Sequence, residues 1–258
     1  SKEKKKFIIQ KMNQLDFTPE KEKDLSGHRK AISKEEFEKL REFERKRICK
    51  IKCSDGNHGT GFFCIIFLDN GSYLTTLITN NHILKAANII PGKKIKLSLN
   101  DEDENYEIEI DKGRRTYTSI KYDITIIELK NKDHLNNVSF FVIDEKIYEP
   151  NYKYKDISIV LLHYSKGKKS KVSPGTIKNI FEGEESYKIQ HLCDSDEGSS
   201  GGPLINSMNG KVFGIHKGVA KGDQKYNEGI LLKEPIIEFE NMIKKELEKN
   251  NKAKIIEK

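Results

Sequence analysis

The run best suited to chemistry occupies positions 196–203, where the sequence reads Asp-Glu-Gly-Ser-Ser-Gly-Gly-Pro. A serine hydroxyl becomes a useful nucleophile only when a base removes its proton and nearby donors stabilise the charge that develops on the substrate oxygen. The glycines permit a tight turn, so the backbone N–H groups of Gly198 and Ser200 can face one point. The run therefore predicts Ser200 as nucleophile and Gly198 with Ser200 as a two-donor oxyanion hole, although Gly/Ser-rich runs are also typical of flexible loops.

The base and the acid that orients it must come from elsewhere in the chain. His82 follows the apolar pair Leu77-Ile78, at the end of a predicted strand and the start of a short turn. Asp123 leads into an apolar strand pattern at 124–129, where its carboxylate can be buried against an imidazole. A lone histidine or aspartate in such a place is usually structural. Only the combination of the two with Ser200 predicts a catalytic set.

Together these segments resemble the trypsin-like peptidases, whose motifs follow the chain order His, Asp, Ser. The matching residues are Thr79 to His82 (Thr-Xaa-Xaa-His), Asp123-Ile124, and Gly198 to Pro203 (Gly-Xaa-Ser-Gly-Gly-Pro). The resemblance covers about residues 48–245. It implies two six-stranded antiparallel β-barrels with the site between them. It also implies hydrolysis of peptide bonds in polypeptide substrates through an acyl-enzyme.

The elements that must position these residues follow from hydrophobic patterning. From Ile48 onward, short β-like runs are separated by Gly, Asn, Asp and Lys, in one series before Pro150 and another after it. This spacing is typical of all-β proteins and not of alternating β-α units. Apolar residues recur at helical spacing near the end of the chain. We predict a charged amino-terminal arm at 1–47, a first β-barrel at 48–145, a second at 146–233, and a C-terminal helix and tail at 234–258.

The amino-terminal arm has helical patterns in two places, one near Phe7 to Leu15 and one after Ser33. The second begins with a capping box, Ser33 to Glu36, followed by apolar residues at helical spacing up to Phe43. Two interpretations remain open. The arm either packs as a helix on a barrel or docks a regulatory protein partner.

Composition narrows the class of protein. The 47 basic and 40 acidic residues give a net charge of +7, and they are interleaved along the chain. Interleaved charges are typical of solvated faces, so we expect neither a nucleic-acid partner nor a membrane partner. No apolar run approaches the roughly 18 residues that cross a bilayer, and the first residues lack the apolar stretch of a secretory signal. The sequence therefore predicts a cytoplasmic protein.

The four cysteines are Cys49, Cys53, Cys64 and Cys193, and three of them fall inside apolar, strand-like runs. None forms a Cys-Xaa-Xaa-Cys pair. We expect reduced core thiols in a reducing compartment, because secreted relatives of this fold usually carry disulfides. Nothing in the sequence predicts a metal or an organic cofactor.

Two departures from the digestive trypsin-type enzymes concern activation. Those enzymes have Asp immediately before the nucleophile, and it pairs with a newly cut amino terminus, whereas this chain has Ser199. No Ile-Val-Gly-Gly start precedes the first predicted barrel. The resemblance therefore implies an enzyme of the intracellular branch, either constitutively folded or switched by other segments and partners.

Substrate specificity is indicated by Gly214 to Gly218, which reads Gly-Ile-His-Lys-Gly. This is similar to a segment of the glutamyl endopeptidases and of viral proteases that cut after glutamine. In those families the histidine lines the S1 pocket, helped by a hydroxyl five positions before the nucleophile. The resemblance assigns these roles to His216 and Ser195 and predicts Glu or Gln at P1. The alternative is a purely structural barrel histidine.

The strand that follows His216 is expected to bind the substrate main chain. Substrate pairing with Lys217, Gly218 and Val219 is β-augmentation. Val219 stands where related enzymes have Gly, which predicts a narrower pocket or entrance.

Three alternatives to a constitutive peptidase remain. The double barrel can serve as a pseudoprotease or docking module, although all three candidate catalytic residues are present. A basic binding protein for nucleic acid or acidic membrane is supported only by net charge. A third alternative is a protease whose loop at 194–199 stays disordered until a trigger docks.

Overall fold

The computed structural model describes residues 33–35, 38, 45–52, 56, 58–99, 105–149, 154, 157–167, 169–220 and 226–256. Within the predicted arm, residues 34, 35, 38 and 45–47 are helical. The rest of the predicted capping box and the pattern near Phe7 lie outside the described residues. The role of the arm in docking a regulatory partner therefore stays a prediction.

The first half of the described chain forms one sheet of eight strands. Its order is β5-β4-β1-β2-β3-β7-β6, and β8 adds to β2 in parallel. The other neighbours in this sheet are antiparallel. The strands are β1 (Ile48–Lys52), β2 (His58–Phe67), β3 (Tyr73–Thr79), β4 (Lys94–Ser98), β5 (Asn105–Glu109), β6 (Thr116–Ser119), β7 (Ile124–Glu128) and β8 (Phe141–Val142).

The second half forms a closed antiparallel barrel of six strands, in the order β10-β11-β14-β13-β12-β9. The strands are β9 (Ser158–Tyr164), β10 (Ser170–Ile180), β11 (Lys188–His191), β12 (Pro203–Asn206), β13 (Val212–Val219) and β14 (Asn227–Leu231). The expected all-β, chymotrypsin-like architecture is confirmed. In detail the first unit is a half-barrel and not a closed six-stranded barrel, because β5 and β6 do not pair within the described residues.

The first sheet buries apolar side chains on both faces, since successive side chains of a strand point to opposite sides. On β2, Phe63 packs into the interior of the half-barrel, whereas Phe62 and Cys64 pack into a larger core shared with the second barrel. On β3, Leu77 packs into the interior of the half-barrel and Ile78 into the shared core. Because both faces are buried, the sequences of these strands are continuous apolar runs. The shared core also holds the sheet against the barrel.

A single helix, α1 (Lys233–Ile256), follows the second barrel, as predicted from the apolar spacing. Its apolar stripe, formed by Ile236, Phe239 and Ile243, is buried in the shared core. Its opposite flank reaches the first sheet, where Glu246 pairs with Arg115 at 3.2 Å. The helix therefore joins the end of the chain to the first half of the fold.

Three of the cysteines have described side chains, and Cys49, Cys64 and Cys193 are buried free thiols, as expected. Burial raises the pKa of Cys49 and Cys64 well above the ordinary value of a thiol. Cys53 lies outside the described residues. No described helix is both long enough and apolar enough to cross a bilayer.

Replacing Phe239 with Ala will test how strongly α1 holds the fold. The ring is fully buried, and a cavity of this kind costs about 3–5 kcal/mol of unfolding free energy. Urea unfolding followed by circular dichroism measures the loss. The matched control is Lys244→Ala on the exposed face of α1, which we expect to change stability by no more than about 0.5 kcal/mol. Equal unfolding midpoints for the two variants would contradict docking of α1 into the core.

Candidate active site

The structure brings His82 and Asp123 into direct contact. His82 lies in a turn just after β3, and its Nδ1 is 2.7 Å from Oδ2 of Asp123. The second carboxylate oxygen, Oδ1, accepts the His82 backbone N–H at 2.9 Å. The Asp123 side chain is 13% exposed and that of His82 is 44% exposed. A carboxylate at Nδ1 stabilises the tautomer with its proton there, which leaves the Nε2 lone pair free to accept a proton.

Asp123 is held in an unusual backbone conformation. Its φ is +48°, in the left-handed region that non-glycine residues seldom adopt. The turn is closed by its own N–H, which donates to the Ile120 carbonyl at 3.3 Å. The Asn80 side-chain amide donates to the Asp123 carbonyl at 2.9 Å. These contacts aim the carboxylate at His82 immediately before β7 begins.

The residue before Asp123 connects this turn to α1. The Tyr122 hydroxyl lies 3.1 Å from Glu238, and Tyr117 lies 2.7 Å from the other oxygen of the same carboxylate. The Tyr122 ring packs edge-on against Tyr187 with 5.0 Å between centroids. The C-terminal helix and the second barrel therefore both support the turn that carries Asp123.

Ser200 lies in the turn that leads into β12, where the second barrel touches the first sheet. The Thr60 N–H donates to the Ser200 carbonyl at 2.8 Å, and the Gly201 N–H donates to the His216 carbonyl at 2.9 Å. A β-carbon placed on Gly59 would lie 2.8 Å from Ile83 and 3.0 Å from the Ser200 carbonyl oxygen. Ile83 is the neighbour of His82, so the segments carrying His82 and Ser200 meet over this glycine.

The Ser200 hydroxyl donates to the Lys217 carbonyl at 2.9 Å. In this rotamer it makes no hydrogen bond to His82 within the described residues. Lys217 is the bulge residue of β13, because its neighbours His216 and Gly218 pair with Gly229 and Glu228 across a shift in register. The bulge presents its carbonyl to the Ser200 hydroxyl.

The peptide groups of the loop at 197–200 have a definite orientation. The Glu197 carbonyl accepts the Lys166 N–H at 2.5 Å, and the Ser199 carbonyl accepts the Gly202 N–H at 3.0 Å. In a trans peptide the N–H points opposite to the carbonyl. The N–H groups of Gly198 and Ser200 therefore point away from these partners, and neither donates to another described residue. Gly198 has φ +86°, so glycine is favoured there.

The predicted specificity residue His216 is 1% exposed, so it is buried inside the second barrel. Its Nδ1 lies 3.0 Å from Nε2 of His191, a buried residue that the sequence analysis missed. Ser195 is half-buried and makes no hydrogen bond to His216 in the described part of the chain. In the sequence, His191 is marked only by its place in the apolar strand pattern at 187–193. That strand belongs to the same barrel as His216.

Burial keeps both of these histidines neutral. Desolvation lowers the pKa of His191 to about 3. The pKa of His216 lies well below its ordinary value because of burial first, and then because of His191, His163 and His82.

The remaining predicted substrate-binding residues lie along the end of β13. Gly218 and Val219 continue the strand, and Val219 is 61% exposed. Lys217 is engaged in an ion pair with Glu228 at 2.7 Å. No group of three or more His, Cys, Asp or Glu side chains arranged to hold a metal occurs among the described residues.

A second buried serine–histidine cluster escaped the sequence analysis. His163 on β9 contacts Ser199 at 2.6 Å and Ser173 at 2.9 Å. All three side chains are buried. The only sequence signal was a histidine within the apolar run of β9, a pattern that gives no indication of its partners.

Thr60→Val will test the junction between the first sheet and the nucleophile loop. The Thr60 hydroxyl donates to the Gly198 carbonyl and accepts the Tyr164 N–H, each at 2.9 Å. Valine leaves both buried backbone groups unpaired, so we expect a loss of about 1–3 kcal/mol in unfolding free energy, measured by urea denaturation. Thr76→Val removes one buried hydrogen bond, to the Cys64 carbonyl, and should lower the unfolding free energy by a smaller amount. A Thr60→Val midpoint equal to that of the wild type would contradict the role of this junction.

Comparison with known proteins agrees with this geometry. A family model described as a trypsin-like peptidase domain matches residues 59–215, a span that includes His82, Asp123 and Ser200. No curated protein gives a significant match to the chain.

Among solved structures, the active form of the Rv3671c protease from M. tuberculosis is 19% identical, with a TM-score of 0.55, and the match covers 84% of this chain and 89% of that chain. The serine endoprotease from Yersinia pestis is 14% identical, with a TM-score of 0.53, over 78% of this chain and 64% of that one. These identities establish similarity of fold. Because the family model spans more than half of its length, the chain belongs to the trypsin-like peptidase family and is a serine peptidase.

Proposed function

We propose that the protein is a serine endopeptidase that cleaves polypeptides through an acyl-enzyme formed on Ser200. The observation that carries this proposal is the 2.7 Å contact between His82 Nδ1 and the Asp123 carboxylate, which leaves Nε2 of His82 as the free base. His82 takes the Ser200 proton and later gives it to the leaving amine. Asp123 fixes the tautomer and stabilises the imidazolium that forms.

For the attack, the Ser200 hydroxyl leaves the Lys217 carbonyl and turns toward His82. Rotation of a side chain such as serine takes place in picoseconds to nanoseconds, so this step does not limit turnover. The free N–H groups of Gly198 and Ser200 then receive the negative oxygen of the tetrahedral intermediate. A substrate main chain pairs with the end of β13, from Lys217 to Val219.

Two observations favour this assignment over its alternatives. The cluster of His163, Ser173 and Ser199 has no carboxylate hydrogen-bonded to its histidine, and Ser199 is fully buried, so a substrate cannot reach it. A docking module would require none of the geometry around Asp123, where a strained backbone aims a carboxylate at an imidazole. Such strain usually persists where function requires it.

Ser200→Ala, His82→Ala and Asp123→Asn should each lower kcat/KM by about 10⁴-fold or more, because the nucleophile, its base or the correct tautomer is lost. Cleavage of a fluorogenic peptide chosen from a library with all residues at P1 measures this. Intact-mass analysis after a fluorophosphonate probe should show one label on the wild type and none on Ser200→Ala.

The matched control is Ser186→Ala, an exposed serine in a surface turn, which should retain wild-type rates and labelling. Folded wild-type protein that takes up no label would instead favour the docking module. Unchanged cleavage by Ser200→Ala would refute Ser200 as the nucleophile.

We also propose a preference for Gln or Glu at P1, supported by the proton positions in the histidine pair. The Cys193 N–H donates to Nδ1 of His191 at 3.3 Å, so that nitrogen carries no proton. Neutral His191 then holds its proton on Nε2 and donates it to Nδ1 of His216. Neutral His216 must carry its own proton on Nε2, the nitrogen without a described partner. That N–H suits a side-chain carbonyl or carboxylate oxygen in the S1 pocket.

In this proposal His191 is a positioning residue that orients the His216 ring. The Asn227 side chain donates to the Cys193 carbonyl at 2.7 Å and so steadies the segment beside the pair. Ser195 stays a candidate for direct contact with the substrate, since it lies half-buried in the same segment.

A P1-varied peptide library should show higher kcat/KM for Gln and Glu than for Lys, Arg or Phe. His191→Ala should reduce this selectivity at least tenfold, because the His216 tautomer is no longer fixed and a hydrogen bond of about 1.4 kcal/mol or more is lost. Selectivity for Gln should stay flat from about pH 5 to pH 8, since neither buried histidine titrates there.

The control is His134→Asn. His134 is exposed, and asparagine tolerates the positive φ of that position. Preference of the wild type for a basic or aromatic P1 residue would refute the pocket assignment while leaving the peptidase proposal intact.

A further inference from the structure

The residue between the two proposed oxyanion donors is Ser199, and its side chain is fully buried. It points into the second barrel, away from the position of a substrate. A buried hydroxyl requires hydrogen-bond partners. Ser199 has two, and neither of them is a charged group.

The direction of every proton in this cluster can be assigned. The Asp196 N–H can only donate, so Ser199 Oγ accepts it at 2.9 Å. The other described partner of the buried Ser199 hydroxyl is Nδ1 of His163 at 2.6 Å, so its proton is assigned to that contact, because a buried hydroxyl proton needs an acceptor. Neutral His163 then carries its proton on Nε2 and donates it to Ser173 at 2.9 Å. The chain runs in one direction from the loop into the barrel and requires a neutral imidazole.

The surroundings keep His163 neutral. Its side chain is 1% exposed, and burial lowers its pKa to about 4. The positive charge of Lys171 acts in the same direction, while the carboxylates of Asp196 and Asp194 act against it. At neutral pH the imidazole can therefore accept from Ser199 and donate to Ser173 at the same time.

Each of the four residues at 163–166 contributes a contact to the loop. Beside His163, the Tyr164 N–H reaches the Gly198 carbonyl through the Thr60 hydroxyl. The Ser165 hydroxyl donates to the Asp196 carboxylate at 2.8 Å. The Lys166 N–H donates to the Glu197 carbonyl at 2.5 Å. The loop is therefore held on one side by backbone and hydroxyl contacts and on the other by the buried Ser199 side chain.

We infer that Ser199, His163 and Ser173 form an uncharged hydrogen-bond chain that holds the Gly198 N–H in the oxyanion hole, with Ser199 and His163 as positioning residues. This inference rests on the proposed function. The Ser199 N–H donates to the Asp196 carbonyl at 3.0 Å, so the side chain and backbone of Ser199 both close the same turn. Release of the side chain opens this turn and leaves the peptide that carries the Gly198 N–H held at its Glu197 carbonyl by the Lys166 N–H.

One consequence concerns activation. The groups that hold the loop belong to the folded barrel and to β2 of the first sheet. Among the described residues, no chain terminus contributes a group to the loop. On this inference the described fold itself builds the hole, as a constitutively active peptidase requires.

The first test compares Ser199→Ala and His163→Leu with Thr76→Val, which removes a buried hydrogen bond of the same kind far from the loop. Kinetics use the best fluorogenic peptide from the P1 library, and inhibition uses the aldehyde of the same sequence, whose hemiacetal oxygen occupies the hole. We expect kcat to fall by up to about 100-fold for the two loop variants, since one oxyanion donor is misplaced. KM should change by no more than about twofold, and the Ki of the aldehyde should rise in parallel with the loss of kcat.

Two further variants separate positioning from folding. His163→Asn keeps an acceptor for Ser199 and should recover most of the lost kcat. Ser173→Ala removes only the outer partner and should have a smaller effect than Ser199→Ala. The inference is overturned if kcat and Ki of Ser199→Ala equal those of Thr76→Val. It is also overturned if kcat of His163→Asn is no higher than that of His163→Leu.

Fluorophosphonate labelling of the wild type keeps the two proposals distinguishable. If the wild type is labelled while Ser199→Ala behaves like the control, the inference fails and the proposed function stands. If the wild type is not labelled, the proposed function fails. The hydrogen-bond chain is then tested separately by ¹⁵N NMR, where the Nε2–H tautomer of His163 supports it and the Nδ1–H tautomer overturns it.

Discussion

The hydrogen bond from the Thr60 N–H to the Ser200 carbonyl, at 2.8 Å, is the contact on which the arrangement of the site depends. His82 and Asp123 are carried by the first sheet, and Ser200 is carried by the second barrel. A proton transfer between them requires a relative position accurate to a fraction of an ångström. A backbone hydrogen bond between β2 and the loop that carries Ser200 supplies that accuracy, because it leaves no flexible side chain between the two units.

The same junction explains the glycine after Ser200. A β-carbon at Gly201 would lie 2.0 Å from the Thr60 carbonyl oxygen, and the residue has φ +90°. Both conditions exclude other residues. The chemical motif is thus also a packing motif, since the loop approaches the first sheet too closely for any side chain. The Thr79 hydroxyl, which donates to the Thr60 carbonyl at 2.8 Å, ties the same strand to the segment that leads to His82.

Desolvation divides the histidines around the site into two groups. His163, His191 and His216 are almost completely buried, and their pKa values are lowered because the interior disfavours an imidazolium. Each has a ring nitrogen in contact with a neighbouring side chain inside the barrel. His82 is partly exposed, and its Nδ1 faces the Asp123 carboxylate. Burial thus separates positioning histidines from the proposed base.

Local patterns in the sequence were sufficient to predict most strands, the C-terminal helix and the candidates His82, Asp123 and Ser200. Period-two burial and turn-forming glycines are visible within a few consecutive residues. The polar, half-buried β6 (Thr116–Ser119) has no such period-two pattern of burial. The half-barrel form of the first sheet, the His191–His216 pair and the Ser199–His163–Ser173 chain were beyond such patterns. Each depends on which distant residues meet in a desolvated interior, and that is settled only when the two units and α1 pack together.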